Sequence, residues 1–167
     1  MNFHLKNVPA AVLEVTKVNS NFHSRFSAKG RSYTYRITNR RAPLTIEKGK
    51  SWHLPVRLDE IAMHDAAKVL IGKHDFTSFR AVVCQAETPV KTLDRLEVER
   101  EGNNVLIHAQ ARSFLHHQVR NFVGSLKRVG EGRWTVDDLR SVLEARDRKL
   151  AGETAPPDGL YLTAVFY

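Results

Sequence analysis

Hydrophobic and polar positions alternate most clearly over Ser32–Thr38, where Tyr33, Tyr35 and Ile37 fall on one face and Thr34, Arg36 and Thr38 on the other. A period of two is the signature of a half-buried strand. Ala11–Val18 is expected to be a strand as well. Leu58, Ile61, Ala62, Ala66, Val69 and Leu70 recur at intervals that predict a helix, with Gly72 placed to end it. Residues 92–100 and 105–112 flank Glu101-Gly102-Asn103-Asn104 and read as a hairpin. The stripe Leu115, Val119, Phe122, Val123 and Leu126 predicts a second helix over 115–129, on which His116 and Arg120 share a face. Thr135 and Asp138 stand at capping-box spacing before a third helix, with Leu139, Val142 and Leu143 inward. Pro156-Pro157-Asp158-Gly159 breaks the chain, and 160–167 closes it as an apolar strand. Hairpins mixed with helices predict an α+β fold, a largely antiparallel mixed sheet with helices packed on one face.

Composition narrows the class. The chain has 167 residues, enough for one domain or one large piece of a two-domain enzyme. No apolar run approaches the roughly 20 residues that cross a bilayer, and the first residues lack the apolar stretch of a signal peptide. Cys84 is the single cysteine, so no intrachain disulfide forms and a reducing cytoplasm is the simplest setting. Asn2–Lys6 resembles the end of a helix, which suggests truncation of a longer chain.

Charge points to a partner. The formal net charge is +8, and residues 1–50 carry ten Lys and Arg against only Glu14 and Glu47. The whole excess therefore sits in the first third of the chain. A segregated positive surface attracts polyanions, nucleic acid above all, although a solvated basic face has the same composition. No helix-turn-helix pattern supports a DNA-binding regulator. His116-His117 raises the question of a metal, but adjacent helical residues point about 100° apart and no further ligands accompany them, so no metal site is expected.

Three segments carry more specific information: 22–36 (FHSRFSAKGRSYTYR), 74–80 (HDFTSFR) and 114–126 (FLHHQVRNFVGSL). With Gly159-Leu160-Tyr161-Leu162 they resemble, in order and spacing, the C-terminal portion of the tRNA pseudouridine synthase A family, over roughly 12–167. The resemblance implies a cofactor-free isomerase that detaches uracil from its ribose, turns it and rejoins it through carbon. It also implies the pseudouridine synthase type of fold, uridines on the 3′ side of the tRNA anticodon arm as substrate, and a homodimer. The family's nucleophile is an aspartate in a Gly-Arg-Thr-Asp-type motif, and none of the eight aspartates here lies in that context. The chain is therefore expected to be a C-terminal domain that is inactive alone. The alternative is a stand-alone RNA-binding module without catalysis.

The resemblance assigns roles. Tyr33 is expected to stack on the flipped uracil and to be a group that can take a proton, whereas Tyr35 is expected in the core. Arg120 matches the family arginine that pairs with the catalytic aspartate, keeping it ionised and aimed. Leu160 matches a leucine that packs against the base. Arg25, Arg31, Arg36, Arg80 and Lys91 are candidates for phosphate contacts.

Overall fold

The alternating segment becomes the middle of a six-stranded sheet. β1 (Gly30–Thr38) pairs along one side with β5 (Asn104–Ala111). Its other side is shared by β6 (Leu160–Phe166) and the two-residue β2 (Trp52–His53). β4 (Val90–Glu101) lies beyond β5, and β3 (Gly72–Asp75) beyond β4. Every pairing is antiparallel except β1 with β2. The structure, a computed structural model, describes residues 2–167.

One face of this sheet is apolar. Tyr35 and Ile37 of β1, Leu96 and Val98 of β4, and Val105, Ile107 and Ala109 of β5 are buried in a single cluster with residues of three helices. These are α1 (Glu60–Ala67), α2 (Gln118–Gly130) and α3 (Val136–Ala145). Each fully buried Leu, Ile or Phe contributes about 1.5–3 kcal/mol. The opposite face is polar and only partly covered: Thr34, Arg36, His108 and Gln110 alternate with the core residues. There His108 bridges the Thr34 hydroxyl at 3.0 Å and Glu99 at 2.8 Å. The α+β class, the mainly antiparallel sheet and the helices on one face agree with the sequence pattern.

The element ends follow local chemistry. The β4–β5 hairpin turns at Gly102-Asn103, with Gly102 at φ 57°, the backbone a type II′ turn asks of its first central residue. α2 ends in a Schellman motif: the amide of Gly132 donates to Val129 O and that of Arg133 to Arg128 O, with Gly132 at φ 68°. Thr135 and Asp138 form the expected reciprocal capping box on α3. No helix among the described residues is long and apolar enough to cross a membrane.

Three expectations need correction. Residues 11–18 form no strand; Leu13 is 96% exposed, and the segment has no ladder partner. The α1 pattern yields only eight α-helical residues before tightening into a 3-10 turn at Lys68–Leu70. α2 begins at Gln118, three residues later than the apolar stripe, because His117 is left-handed (φ 61°) and turns the chain there. His116 is thus off the helix and shares no helical face with Arg120. The opening Asn2–Leu5 is a 3-10 turn whose Asn2 side chain holds the Val12 backbone at 2.7 and 2.9 Å.

Candidate functional site

A cleft of about 840 Å³ opens where the N-terminal half of β1, the start of β6, the loop 113–117 and the first turn of α2 meet. Tyr33, Phe114, Arg120 and Leu160 all line it. Tyr33 stands beside an irregularity in the neighbouring strand β6. Between Ser32 and Tyr33 the register with β6 jumps from Ala164 to Leu162, leaving Thr163 as an extra residue. Bulges of this kind redirect neighbouring side chains. The Tyr33 ring then meets Phe114 edge-on, centroids 5.3 Å apart and planes at 86°, a favourable aromatic geometry. The ring is half-buried rather than sealed in the core. Tyr35, two residues on, is fully buried; burial raises its phenol above the ordinary range, and it donates to Pro156 O at 2.7 Å.

The α2 N-terminus gives the cleft its electrostatics. His117, Gln118, Val119 and Arg120 line the cavity, so the positive end of the helix dipole lies at its wall. Burial, then the charges of Arg120 and His116, lowers the His117 pKa and so favours the neutral imidazole. Arg120 Nε donates to Ala155 O, and Ala155 N donates to Arg120 O at 3.2 Å. That loop approaches so closely because Gly124 has no side chain: a Cβ there would lie 1.7 Å from Glu153 O. Among the described residues, no Asp or Glu lines the cleft. A guanidinium and a helix N-terminus beside an aromatic ring can hold an anion next to a planar base.

The loop 81–86 forms another rim. Arg80 clamps it by donating to Cys84 O at 2.7 Å and Ala86 O at 2.8 Å. Burial would raise the Cys84 thiol pKa, but backbone donors at Ala86 and His116 and the nearby Arg80 charge outweigh it and lower the value.

Of the residues proposed from sequence, the cleft gathers Tyr33, Arg120, Leu160, Arg25 and Arg31. Arg31 is already engaged with the carbonyls of Ala28, Arg112 and Arg25, so it also braces the loop before β1. Arg36 lies on the open sheet face, bonded to Asn104 Oδ1 at 3.1 Å. Arg80 does not line the cleft. Lys91 lines a smaller cleft of about 420 Å³ with Lys73 and Arg112, which shares Ser113 with the large one. Phe114, Gln118 and the loop 151–155 were not singled out from sequence. Phe114 lies inside a quoted segment, but nothing in the pattern says that its ring supports Tyr33. The aspartates are engaged elsewhere: Asp59 and Asp138 cap helices, Asp147 caps a 3-10 turn, and Asp65, Asp75 and Asp137 face Lys68, Arg146 and Arg140. Asp94 and Asp158 are exposed outside the cleft.

An α+β scaffold carrying an arginine and an aromatic ring in a cleft without acidic residues has the make-up of a protein that handles nucleotides. Comparison with known proteins is specific. Residues 66–167 match the family model described as tRNA pseudouridine synthase. A tRNA pseudouridine synthase A of Rhodospirillum centenum is 60% identical over 167 residues, covering 100% of this chain and 68% of the relative. The proteins of that name from Paramagnetospirillum magneticum and Rhodospirillum rubrum are 56% and 55% identical, and the chain spans 65% and 59% of their lengths. The chain belongs to the tRNA pseudouridine synthase family.

Proposed function

We propose that this chain is the C-terminal domain of a tRNA pseudouridine synthase, and that it holds the target uridine and orients the nucleophile. The substrate is a uridine on the 3′ side of the tRNA anticodon arm. The nucleotide leaves the RNA stack, at a cost of a few kcal/mol, and enters the large cleft. Stacking on Tyr33 returns about 1–3 kcal/mol, and Leu160 packs against the base. Arg120 pairs with an aspartate supplied by a part of the enzyme outside these residues; the ion pair keeps that carboxylate charged and directed at the ribose. The carboxylate displaces uracil from the sugar, the ring turns, and a carbon–carbon bond replaces the carbon–nitrogen bond. The Tyr33 hydroxyl is placed to relay the proton released from carbon, passing its own proton to solvent as it takes that one up. Arg25 and Arg31 face the phosphates beside the flipped base, and Arg36 and Lys91 are available to the backbone farther out. Arg80 acts on binding through the loop it clamps. No cofactor is required, the enzyme works as a homodimer, and its setting is the cytoplasm.

The observation that carries this reading is Arg120: among the described residues it lines a cleft free of Asp and Glu, with only its Nε committed to the protein. The test is tritium release from uridine-labelled tRNA. In a full-length enzyme containing this chain, Tyr33→Ala is expected to lower turnover by on the order of a hundredfold or more while tRNA binding stays within a few fold. The isolated chain is expected to form no pseudouridine. Robust pseudouridine formation by the isolated chain would show that the nucleophile lies within it.

A further inference from the structure

The structure assigns Arg148 as a positioning residue for Arg120: through the loop 152–155 it fixes the direction of a guanidinium that it never touches. This inference rests on the reading of Arg120 given above.

Arg148 lies just after α3 and is partly buried. Its guanidinium donates to Gly152 O at 2.9 Å, to Thr154 Oγ1 at 2.9 Å and to Asn121 Oδ1 at 3.1 Å. All three acceptors are neutral. Withdrawing a cation from water without an acidic partner is costly, and an apolar side chain would fill the same space more cheaply. What an apolar side chain cannot do is span three acceptors with one planar fork of donors.

Those acceptors define the path of the loop across α2. Asn121 is fully buried and is the residue after Arg120. Its Oδ1 also accepts from Thr154 Oγ1 at 2.7 Å, and its Nδ2 donates to Phe79 O at 2.8 Å. Gly152 N donates to Ser125 Oγ at 3.0 Å, one helical turn farther along the same face. Gly124 and Gly152 cross backbone to backbone: a Cβ on Gly152 would fall 2.5 Å from Gly124 O. With 152 and 154 pinned in this way, Ala155 has little freedom. Its carbonyl takes the Arg120 Nε–H and its amide returns a bond to Arg120 O. The chain of contacts runs from Arg148 to the loop, from the loop to Ala155, and from Ala155 to the Nε of Arg120. The remaining Arg120 donors then face the anion from a fixed plane.

The test has two readouts. In this chain, the Arg120 Nε–H resonance, assigned by its loss in Arg120→Lys, reports the bond to Ala155. Arg148→Gln is expected to speed its hydrogen exchange about fivefold to tenfold, the worth of one net hydrogen bond, while backbone amides of β5 keep their protection. Thr154→Val removes a single hydroxyl and gives the same direction if Arg148→Gln does not fold. In a full-length enzyme, both variants are expected to lower kcat by on the order of tenfold to a hundredfold with KM for tRNA within a few fold, because misaligned catalytic groups lose rate rather than binding. Unchanged Nε–H exchange in both variants overturns the assignment, as does an unchanged kcat where Arg120→Ala abolishes turnover. Full turnover in Arg120→Ala instead refutes the role given to Arg120, and the exchange result then decides alone whether Arg148 positions it.

Discussion

Replacing Gly124 by alanine separates helix propensity from packing. In the interior of α2 the substitution ought to stabilise by up to about 1 kcal/mol, since glycine is the poorer helix former. The structure predicts the reverse sign. The new methyl carbon would lie 1.7 Å from Glu153 O and 2.8 Å from its carbonyl carbon, both backbone atoms, which no rotamer change can relieve. The loop must withdraw from the helix. It would forfeit the bond from Gly152 N to Ser125 Oγ and the two bonds between Arg120 and Ala155. At about 1 kcal/mol each, three lost bonds outweigh the helical gain and leave a net loss of about 2 kcal/mol. With a urea m-value of about 2 kcal/mol/M, the midpoint falls by about 1 M at unchanged slope. Urea unfolding followed by circular dichroism measures this directly. A midpoint equal to or above the parent would refute the close-approach argument, because propensity alone would then govern the site.

Three further outcomes are expected. RNA binding in a filter assay should weaken steeply with salt, with a log–log slope of about −3 or steeper if three or more phosphates are neutralised; a flat profile would remove the electrostatic argument. Because the His117 pKa is lowered in the fold, the unfolded chain takes up this proton first as pH falls. Its stabilising contribution is therefore full above the unfolded value of about 6.5 and is lost below it, so the urea midpoint should drop between pH 7 and 5 less steeply in His117→Asn than in the parent. β6 pairs only with β1 and leaves its outer edge open beside Leu162, Phe166 and Tyr167, which are 55%, 45% and 51% exposed. Such an edge should recruit a partner; light scattering is expected to show self-association, and a constant mass near 19.0 kDa at high concentration would exclude it.

The sequence revealed faces more readily than neighbours. The β1 alternation told which side of the strand is buried, and Tyr35 and Ile37 are buried as it implied. The same logic failed at 11–18, because alternation describes a strand's faces while a ladder needs an edge to join, and that depends on distant residues. The helix start failed for a related reason. Leu115 continues the apolar stripe by spacing and is buried, yet it reaches the core from the loop before His117, not from the helix. A buried residue and a helical residue look alike to periodicity.

The site was legible in the same uneven way. Tyr33, Arg120 and Leu160 come from three segments far apart in sequence, and the fold brings all three to one cleft. What the pattern did not disclose is the machinery that holds them. Gln118, Asn121 and Ser125 are polar residues at helical spacing, and all are buried. That spacing was visible within the apolar stripe, and a polar row on a buried helix demands partners. The partners of Asn121 and Ser125 include Arg148, Gly152 and Thr154, 27 to 33 residues away. Local periodicity can show that such a demand exists, but only the fold shows how it is met. Here it is met by a loop whose carbonyl at Ala155 binds Arg120, so the residues that satisfy the buried helix face also hold the arginine in place.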